Sequence, residues 1–459
     1  MSRRIASALL VSIALAAIVL RAAKAHTTGI LYDEAVTWFT YASSLEAALT
    51  RYDSTNNHLL NSIAIWAAHG LFGGYEHFIR IPSMLASFGF VLACAYASTR
   101  IISDRWLRLP VLAVILFHFF VFDMSYLARG YSFALAASLG ALAFTLWLET
   151  RPASRGLLWL TACVMALCNF VALGSMLTSV LAMLVLNAVC FGRLFVRMRE
   201  SRVLVVQAAA VALLLTLAAS GALYSSVLDD VVRHGSRGQG AISASEFFQT
   251  LLDERLFEPL GDPDLRRLAT RSVAVLVAAA LLGLAALCSG FGRSDERRVE
   301  KALVWIVALS TLAGTLFYGF VLERSLGHQR NHLSLYPMIW LALGAALDSL
   351  IALVRSQPLR GVAVVVVGLL VAPYVALNLP DAREVKFNYW WRQSNGRSIL
   401  RRLHAQDPER VWAIKAVPKH RFALYAMQYY QQFGYRFRKA GVDEEFDLIL
   451  FDLPQRYIE

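Results

Sequence analysis

Charged residues are scarce in this sequence. Asp, Glu, Lys and Arg together make up 17% of the 459 residues, whereas hydrophobic residues make up 58%. In an ordinary soluble domain, about a quarter of the residues are charged and about half are apolar. The composition therefore argues against a soluble globular protein and indicates a membrane protein.

Cysteine is also rare, and no loop carries a pair of cysteines. All five fall inside long apolar runs, at Cys94, Cys163, Cys168, Cys190 and Cys288. We therefore expect neither disulfide bonds nor a cysteine-based metal site. A phosphate-binding loop is absent as well, because the glycines of "HGSRGQGA" are not followed by Lys and Ser or Thr.

Long apolar runs are abundant. A helix needs roughly 20 apolar residues to cross the hydrocarbon core of a bilayer. Eleven segments approach that length, near 6–24, 79–98, 109–127, 130–149, 156–172, 173–191, 203–224, 272–290, 302–321, 332–354 and 361–379. They predict an all-α polytopic membrane protein. The first segment also resembles a cleavable signal peptide, but we favour a retained helix.

The net charge of +12 reflects membrane topology rather than nucleic-acid binding. Arg and Lys cluster in every second loop, which is typical of loops on the cytoplasmic side. The clusters are Arg3 and Arg4; Arg100, Arg105 and Arg108; Arg151 and Arg155; Arg193, Arg197, Arg199 and Arg202; Arg293, Arg297, Arg298 and Lys301; Arg355 and Arg360. With eleven spans, the pattern predicts a cytoplasmic N-terminus and an extracytoplasmic C-terminus.

The predicted spans divide the chain into a transmembrane domain, 1–379, and a small extracytoplasmic domain, 380–459. The outer loop 25–78 carries two short apolar segments. We expect the first, "EAVTWFTYASSLEAALTRY", to form an amphipathic helix at the membrane interface. The second, "HLLNSIAIWAAHGLF", is too short to span and is interpreted as interfacial or re-entrant. The outer loop 225–271 contains a predicted helix, "SASEFFQTLLDERLF". That loop is either a surface linker or a mobile gate.

The tail after the last span has a different pattern. Three short stretches, "RVWAIKAV", "YRFRKAG" and "FDLILFDL", are rich in β-branched and aromatic residues and predict strands. The stretch "RFALYAMQYYQQFG" between the first two predicts a helix. The tail is therefore expected to form a small α/β unit.

Five polar motifs fall on the predicted outer side. They are "YDEA" with Asp33 and Glu34, "DSTNNHLLN" with Asp53, Asn57 and His58, "RIPS" with Arg80, "ARGY" with Arg129 and Tyr131, and "HQRNHLSLYP" with Arg330. Each has a structural explanation when taken alone. An Asp can cap a helix, and an interfacial Arg can extend its head to the lipid headgroups.

Taken together, the motifs indicate a site for a phosphate. Arg129 lies at the start of the fourth span, where free backbone N–H groups and the helix dipole attract anions. Arg330 lies near the start of the tenth span and adds a second cation. The planar guanidinium fork suits phosphate. A carboxylate pair facing such a site indicates group transfer from a lipid phosphate.

In this order, the motifs resemble those of the membrane-embedded C-type (GT-C) glycosyltransferases. More narrowly, they resemble bacterial family-39-like members, which are related to protein O-mannosyltransferases and lipid A aminoarabinose transferases. The similarity rests on "YDEA", "NNHLLN" followed by "RIPS", and "ARGY". The late stretch "RNHLSLYPMIWLALGAAL" adds a less specific match. Family members often have the sequence Ala-Arg-Pro-Tyr, whereas this chain has Ala-Arg-Gly-Tyr, with Gly130 in place of the proline.

The resemblance implies a GT-C-like fold in the bacterial inner (plasma) membrane. It also implies transfer of a sugar from a polyprenyl-phosphate donor to a hydroxyl of a glycan, lipid or protein on the extracytoplasmic face. Asp33 would accept the proton of that hydroxyl while its oxygen attacks the anomeric carbon. Glu34 would be the second catalytic carboxylate, orienting a neighbour or holding a metal.

The remaining roles follow from the same resemblance. Arg129, Tyr131 and Arg330 would bind the donor phosphate. Substrate would also be bound by Asp53, Asn57, His58 and Arg80. If a divalent metal takes part, its candidate ligands are Glu34, Asp53 and His58.

A transporter or flippase of lipid-linked sugars is the main alternative. Such proteins place their sites near the midplane on broken helices, often with inverted repeats. Here the polar motifs lie at the outer surface and no repeat is evident. A glycan polymerase or ligase is a third class, and it would place its key residues in a large late loop.

Overall fold

The architecture is that of a computed structural model of the chain. It describes residues 2–52, 57–235, 271–272, 275–285, 297–320, 333–354, 356–378, 396–416, 428–433, 435–439 and 448–450. Long helices dominate, and three short strands lie near the C-terminus. The protein is an all-α polytopic membrane protein with a small strand-containing tail, as the sequence predicts.

The described residues contain eighteen α-helices. In chain order they are α1 (Ser2–Thr27), α2 (Tyr32–Val36), α3 (Leu45–Thr50), α4 (Leu59–Phe72), α5 (Glu76–Ile79), α6 (Ile81–Ile101), α7 (Arg108–Phe117), α8 (Phe119–Met124), α9 (Tyr131–Leu148), α10 (Arg155–Ser175), α11 (Val180–Arg197), α12 (Arg202–Tyr224), α13 (Leu228–Gly235), α14 (Val275–Ala285), α15 (Arg298–Phe320), α16 (Leu335–Ala352), α17 (Gln357–Asn378) and α18 (Gly396–Gln406). A π-helix, Thr37–Tyr41, continues α2.

Each of the eleven predicted segments coincides with helical structure over all or part of its length. Within the described ranges, seven helices are long and apolar enough to cross a membrane: α1, α6, α9, α10, α11, α12 and α16. Four shorter apolar helices are α4, α7, α14 and the first part of α17. The number of spans and the orientation of the termini stay predictions.

The segment predicted as one span over 109–127 is not one helix. α7 ends at Phe117, α8 begins at Phe119, and His118 between them has φ −58° and ψ 116°. The buried guanidinium of Arg21 on α1 donates to the carbonyl oxygen of Leu116 at 2.8 Å. Irregular backbone inside a membrane needs hydrogen-bond partners within the protein. The Arg21 side chain supplies one for the Leu116 carbonyl beside the break.

The loop 25–78 also differs from the predicted pattern. The stretch "EAVTWFTYASSLEAALTRY", which is predicted to form one interfacial helix, is divided into the end of α2, the π-helix and α3. The division has a local cause at Ser44, which caps α3 by accepting a hydrogen bond from the backbone N–H of Ala47 at 3.0 Å. The second predicted segment does form a helix, α4. It ends at Gly73, whose φ of +93° suits glycine.

The three predicted strands of the tail are present. β1 (Trp412–Ala416) lies between β2 (Phe437–Lys439) and β3 (Leu448–Leu450), and both pairings are parallel. Of the helix predicted between the first two strands, only the end is described, and it is a 3₁₀ turn, Tyr429–Phe433. The predicted helix in the loop 225–271 lies outside the described residues.

The end of the bundle where α6 and α16 finish is rich in ion pairs. Lys301 Nζ lies 2.7 Å from Asp348 Oδ2 with both side chains buried, and Arg100 pairs with Glu300 at 2.8 Å. Arg193 holds Glu149 through two hydrogen bonds. The basic members of these pairs belong to the predicted basic clusters. The described parts of the polar motifs lie at the other end, where α6 and α9 begin.

Candidate active site

A buried ion pair between Glu34 and Arg80 lies at the centre of the site. The Nε and Nη2 of Arg80 donate to the two carboxylate oxygens of Glu34, at 2.8 and 2.5 Å. Both side chains have no exposed surface. The other donors of Arg80 reach the carbonyl oxygens of Ala25, Thr28 and Gly29. All five N–H groups of this guanidinium therefore donate hydrogen bonds to protein oxygens.

The Glu34 carboxylate joins two separate parts of the chain. Its Oε2 accepts the backbone N–H of Leu31 at 3.1 Å, which closes the first turn of α2. Its Oε1 accepts the backbone N–H of Ala128 at 2.8 Å. Because Ala128 directly precedes Arg129, this one carboxylate fixes the start of α2 against the turn that carries Arg129.

Side chains from two further helices fix the same turn. The Nδ2 of Asn61 on α4 donates to the carbonyl oxygen of Ala128 at 3.2 Å. The Oγ of Ser83 on α6 donates to the carbonyl oxygen of Arg129 at 3.3 Å. The "ARGY" turn is thus held by α2, α4 and α6 together.

Gly130 lets this turn approach the end of α10. A Cβ atom at this position would lie 2.3 Å from the carbonyl oxygen of Ser175 and 3.1 Å from the Cβ of His58. A backbone oxygen at that distance cannot move aside without shifting α10. Glycine is therefore required here for close packing, although its φ of −66° is open to other residues.

Asp33 and Arg129 lie side by side at this junction. Asp33 Oδ2 is 3.9 Å from Arg129 Nη2, which is beyond hydrogen-bond distance. Arg129 Nη1 donates to the carbonyl oxygen of Asp33 at 3.2 Å and to Thr37 Oγ1 at 3.1 Å. The Arg129 side chain is 1% exposed and the Asp33 side chain 14% exposed. Of the two adjacent acids, Asp33 is therefore the one whose side chain keeps exposed surface.

His58 and Tyr131 border the guanidinium of Arg129. The rings of His58 and Tyr131 meet edge to face at 5.4 Å, and the Arg129 Cζ lies 5.8 Å from the Tyr131 ring. His58 Nδ1 is 2.6 Å from the carbonyl oxygen of Ser175. Since a carbonyl oxygen only accepts, Nδ1 carries a proton in this contact.

Asn57 has a local structural task. Its Nδ2 donates to the carbonyl oxygen of Arg51 at 2.7 Å, and its Oδ1 accepts from Ser62 Oγ at 2.7 Å. Burial raises the pKa of Tyr52, next to Arg51, to about 12. Asp53 and Arg330 lie outside the described residues.

The structure thus brings together Asp33, Glu34, Asn57, His58, Arg80, Arg129 and Tyr131. Their catalytic and binding roles stay predictions. The two hydrogen-bonding residues Asn61 and Ser83 stand inside the quoted motifs but received no role from the sequence. Thr37 and Ser175 have no motif that marks them.

Glu34 does not fit a metal ligand in this arrangement. Its two oxygens accept four N–H groups, two of them from a guanidinium, and a metal cation bound there would face that positive charge at close range. Among the described residues, no group of three His, Cys, Asp or Glu side chains is placed to hold a metal ion.

We predict that Glu34→Gln destabilises the protein strongly. The substitution leaves the buried Arg80 charge unpaired, and breaking such a pair costs about 3–5 kcal/mol. Thermal unfolding in detergent measures the effect. The control is Glu46→Gln, which changes an exposed acid in the first turn of α3. Equal midpoints for the two variants would contradict the proposed importance of the pair.

We also predict that Gly130→Ala and Gly140→Ala behave oppositely. Both lie at or in α9, but a Cβ at Gly140 would meet nothing within 4 Å. Gly130→Ala should lower the midpoint of thermal unfolding because of its clash with Ser175. Gly140→Ala should leave it unchanged or raise it, since alanine favours a helix by about 1 kcal/mol. Equal effects would show that the α10 contact does not restrict this turn.

The fold has counterparts among solved structures, although no protein-family model and no curated protein sequence matches the chain. ArnT from Cupriavidus metallidurans in the apo state superposes with a TM-score of 0.52 and 13% identity, covering 97% of this chain and 87% of that one. ArnT bound to undecaprenyl phosphate gives a TM-score of 0.50 and 15% identity, covering 95% and 86%. Since both similarities extend over nearly the whole chain, this protein has an ArnT-like fold.

Proposed function

We propose that this chain is an integral membrane glycosyltransferase, which moves a sugar from a polyprenyl-phosphate-linked donor to an acceptor hydroxyl on the extracytoplasmic face. The observation that carries the proposal is the juxtaposition of Asp33 and Arg129, 3.9 Å apart. It lies within a fold that, in ArnT, has been solved with undecaprenyl phosphate bound. A partly exposed carboxylate next to a buried guanidinium suits a reaction that releases both a proton and a phosphate.

The two acids and two arginines of the site form two different pairs. Glu34 and Arg80 are fully buried and hydrogen-bonded to each other. Asp33 and Arg129 face each other without a side-chain hydrogen bond at 3.9 Å. The first pair supports a positioning role for Glu34 and Arg80, in place of direct substrate contact. The second pair is the one whose charges can change partners during a reaction.

Arg129 would hold the phosphate of the donor. The acceptors of its Nη1 are a backbone carbonyl and a hydroxyl, both of them neutral groups. Its position before α9 adds the N-terminal end of that helix dipole. As the bond between the anomeric carbon and the phosphate oxygen breaks, negative charge grows on the phosphate. Fixed donors aimed at developing charge are usually the largest contribution to catalysis.

Asp33 would act as the general base. The acceptor oxygen attacks the anomeric carbon, its proton passes to the Asp33 carboxylate, and the polyprenyl phosphate leaves with the bonding electrons. A phosphate is already a good leaving group, so protonation of it contributes little. His58, Tyr131 and Asn57 would line the sugar and phosphate. Arg330 and Asp53 remain candidates for a second cation and a further substrate contact.

The proposal also fixes partners and location. The donor is a polyprenyl-phosphate sugar embedded in membrane lipid, and the acceptor is a hydroxyl of a glycan, lipid or protein. The protein would lie in a bacterial inner membrane with this site on the extracytoplasmic side. A transporter or flippase of lipid-linked sugars is the alternative, and it has no need for a base beside the phosphate-binding arginine.

The test is transfer of radiolabelled sugar from polyprenyl-phosphate donors in membranes that contain the chain. We predict that Asp33→Asn, which keeps the shape of the side chain but cannot take a proton, lowers the rate at least about 100-fold. The control Asp229→Asn changes an exposed acid in the first turn of α13 and should keep full activity.

Three outcomes separate the candidate functions. Covalent transfer by the wild type and its loss in Asp33→Asn support the proposal. Transfer that persists undiminished in Asp33→Asn would remove the base assignment. Movement of the labelled lipid across the bilayer without covalent transfer, in wild type and Asp33→Asn alike, would favour the flippase.

A further inference from the structure

The C-terminal tail shares one hydrophobic core with the segment that carries Asp33. The tail contributes Leu400, Ile414, Tyr429, Tyr430 and Phe437 to this core. The first outer loop and its neighbours contribute Ile30, Ala35, Trp38, Ala42, Ile65, Ile79 and Ala128. Ala35 follows Glu34, and Ala128 precedes Arg129. The tail therefore packs against the chain neighbours of both halves of the site.

Tyr430 makes a hydrogen bond to the start of this segment. Its hydroxyl accepts the backbone N–H of Ile30 at 2.8 Å, across 400 residues of sequence. Ile30 is 1% exposed and Tyr430 is 2% exposed, so neither group has water as an alternative partner. Ile30 directly precedes Leu31, whose N–H is bound by Glu34. The tyrosine thus fixes the backbone at the point where α2 begins.

Tyr429 supports the other end of the same segment. Its ring packs edge to face on Trp38 at 6.2 Å and on Phe39 at 6.4 Å, both in the π-helix that follows α2. Its hydroxyl donates to the carbonyl oxygen of Gly74. Gly74 follows Gly73, the residue with positive φ at which α4 ends.

The two tyrosines are themselves held on the sheet of the tail. They begin the 3₁₀ turn Tyr429–Phe433, and Gln431 Nε2 in that turn donates to the carbonyl oxygen of Phe437 in β2 at 2.7 Å. Contacts therefore run without a gap from the sheet, through the turn and Tyr430, to the start of α2. The segment 30–38 is enclosed between the membrane helices on one side and the tail on the other.

We infer that Tyr429 and Tyr430 are positioning residues, through which the tail holds the segment 30–38 so that Asp33 stays beside Arg129. The inference rests on the proposed function for its kinetic consequence, but not for the contacts themselves. The backbone of the turn that carries Arg129 is also bonded by Asn61 and Ser83, which lie outside the segment 30–38. The Arg129 guanidinium donates to Asp33 and Thr37 within the segment. Loosening the tail contact should therefore displace Asp33 directly and the guanidinium through these bonds.

The experiment compares Tyr430→Phe with Tyr435→Phe in the purified full-length protein. Tyr430→Phe keeps the packed ring but removes the acceptor of the Ile30 N–H. Tyr435 is the matched control, because its ring packs on Tyr430 and His404 within the tail. Hydrogen exchange is followed by mass spectrometry on peptides covering 28–40 and on peptides from α9 to α12. The turnover number and the KM for the donor are measured on the same folded protein.

We expect exchange in 28–40 to become about tenfold faster in Tyr430→Phe, because a buried backbone donor loses its partner. Exchange in α9 to α12 should stay unchanged, which a general loss of folding would not allow. The turnover number should fall about tenfold or more, since small displacements of a reacting group slow chemistry. The KM for the donor should rise as well, because the Arg129 guanidinium is bonded to the same segment. Tyr435→Phe should match the wild type in all three measurements.

If the exchange rate in 28–40 is the same in Tyr430→Phe as in the wild type, the inference is overturned, whatever the transfer assay gives. Faster exchange with a wild-type turnover number would overturn it too, because the contact would then exist without positioning Asp33. If the wild type transfers no sugar, the proposed function fails, and the exchange measurement alone decides whether the tail supports the segment. The milder Tyr429→Phe, which keeps both ring contacts and loses only the bond to Gly74, replaces Tyr430→Phe if that variant does not fold.

Discussion

The buried pairing of Glu34 with Arg80 is the constraint on which the rest of the site depends. The Glu34 carboxylate accepts hydrogen bonds from four N–H groups, and all five N–H groups of the Arg80 guanidinium donate to protein oxygens. Through these bonds, the end of α1, the start of α2 and the turn before α9 meet at one point. Removing either partner would leave an unpaired charge in a place that water does not reach. Because such a charge is strongly destabilising, the arrangement of the three segments depends on both residues.

That pairing gives the two adjacent acids of the sequence different tasks. Both oxygens of Glu34 are engaged in hydrogen bonds to the backbone and to Arg80. Asp33, one residue earlier, lies beside Arg129 and keeps 14% of its side chain exposed. The arginines divide in the same way, with Arg80 inside the structural pair and Arg129 beside the reachable acid. The tail also contacts this segment through Tyr429 and Tyr430. The segment 30–38 is therefore held both by the Glu34–Arg80 pair and by the tail.

Much of the fold could be predicted from the sequence, because apolar length and alternating basic loops directly reflect the bilayer. The order of the motifs relative to the predicted spans also indicated that Asp33, Arg129 and His58 lie at one end of the bundle. The division of tasks could not be predicted, since an interfacial Arg80 looks the same whether it holds a substrate, a lipid or a carboxylate. The break at His118 and the Tyr430 contact were missed for a related reason: both depend on partners far away in the sequence.

The most direct test of this account is an experimental structure of the protein with undecaprenyl phosphate bound. The account predicts that a phosphate oxygen lies within hydrogen-bond distance of the Arg129 guanidinium, next to the Asp33 carboxylate. It also predicts that Arg80 stays bound to Glu34 and does not touch the ligand. Phosphate density at the basic end of the bundle, or held by Arg80 in place of Arg129, would contradict it.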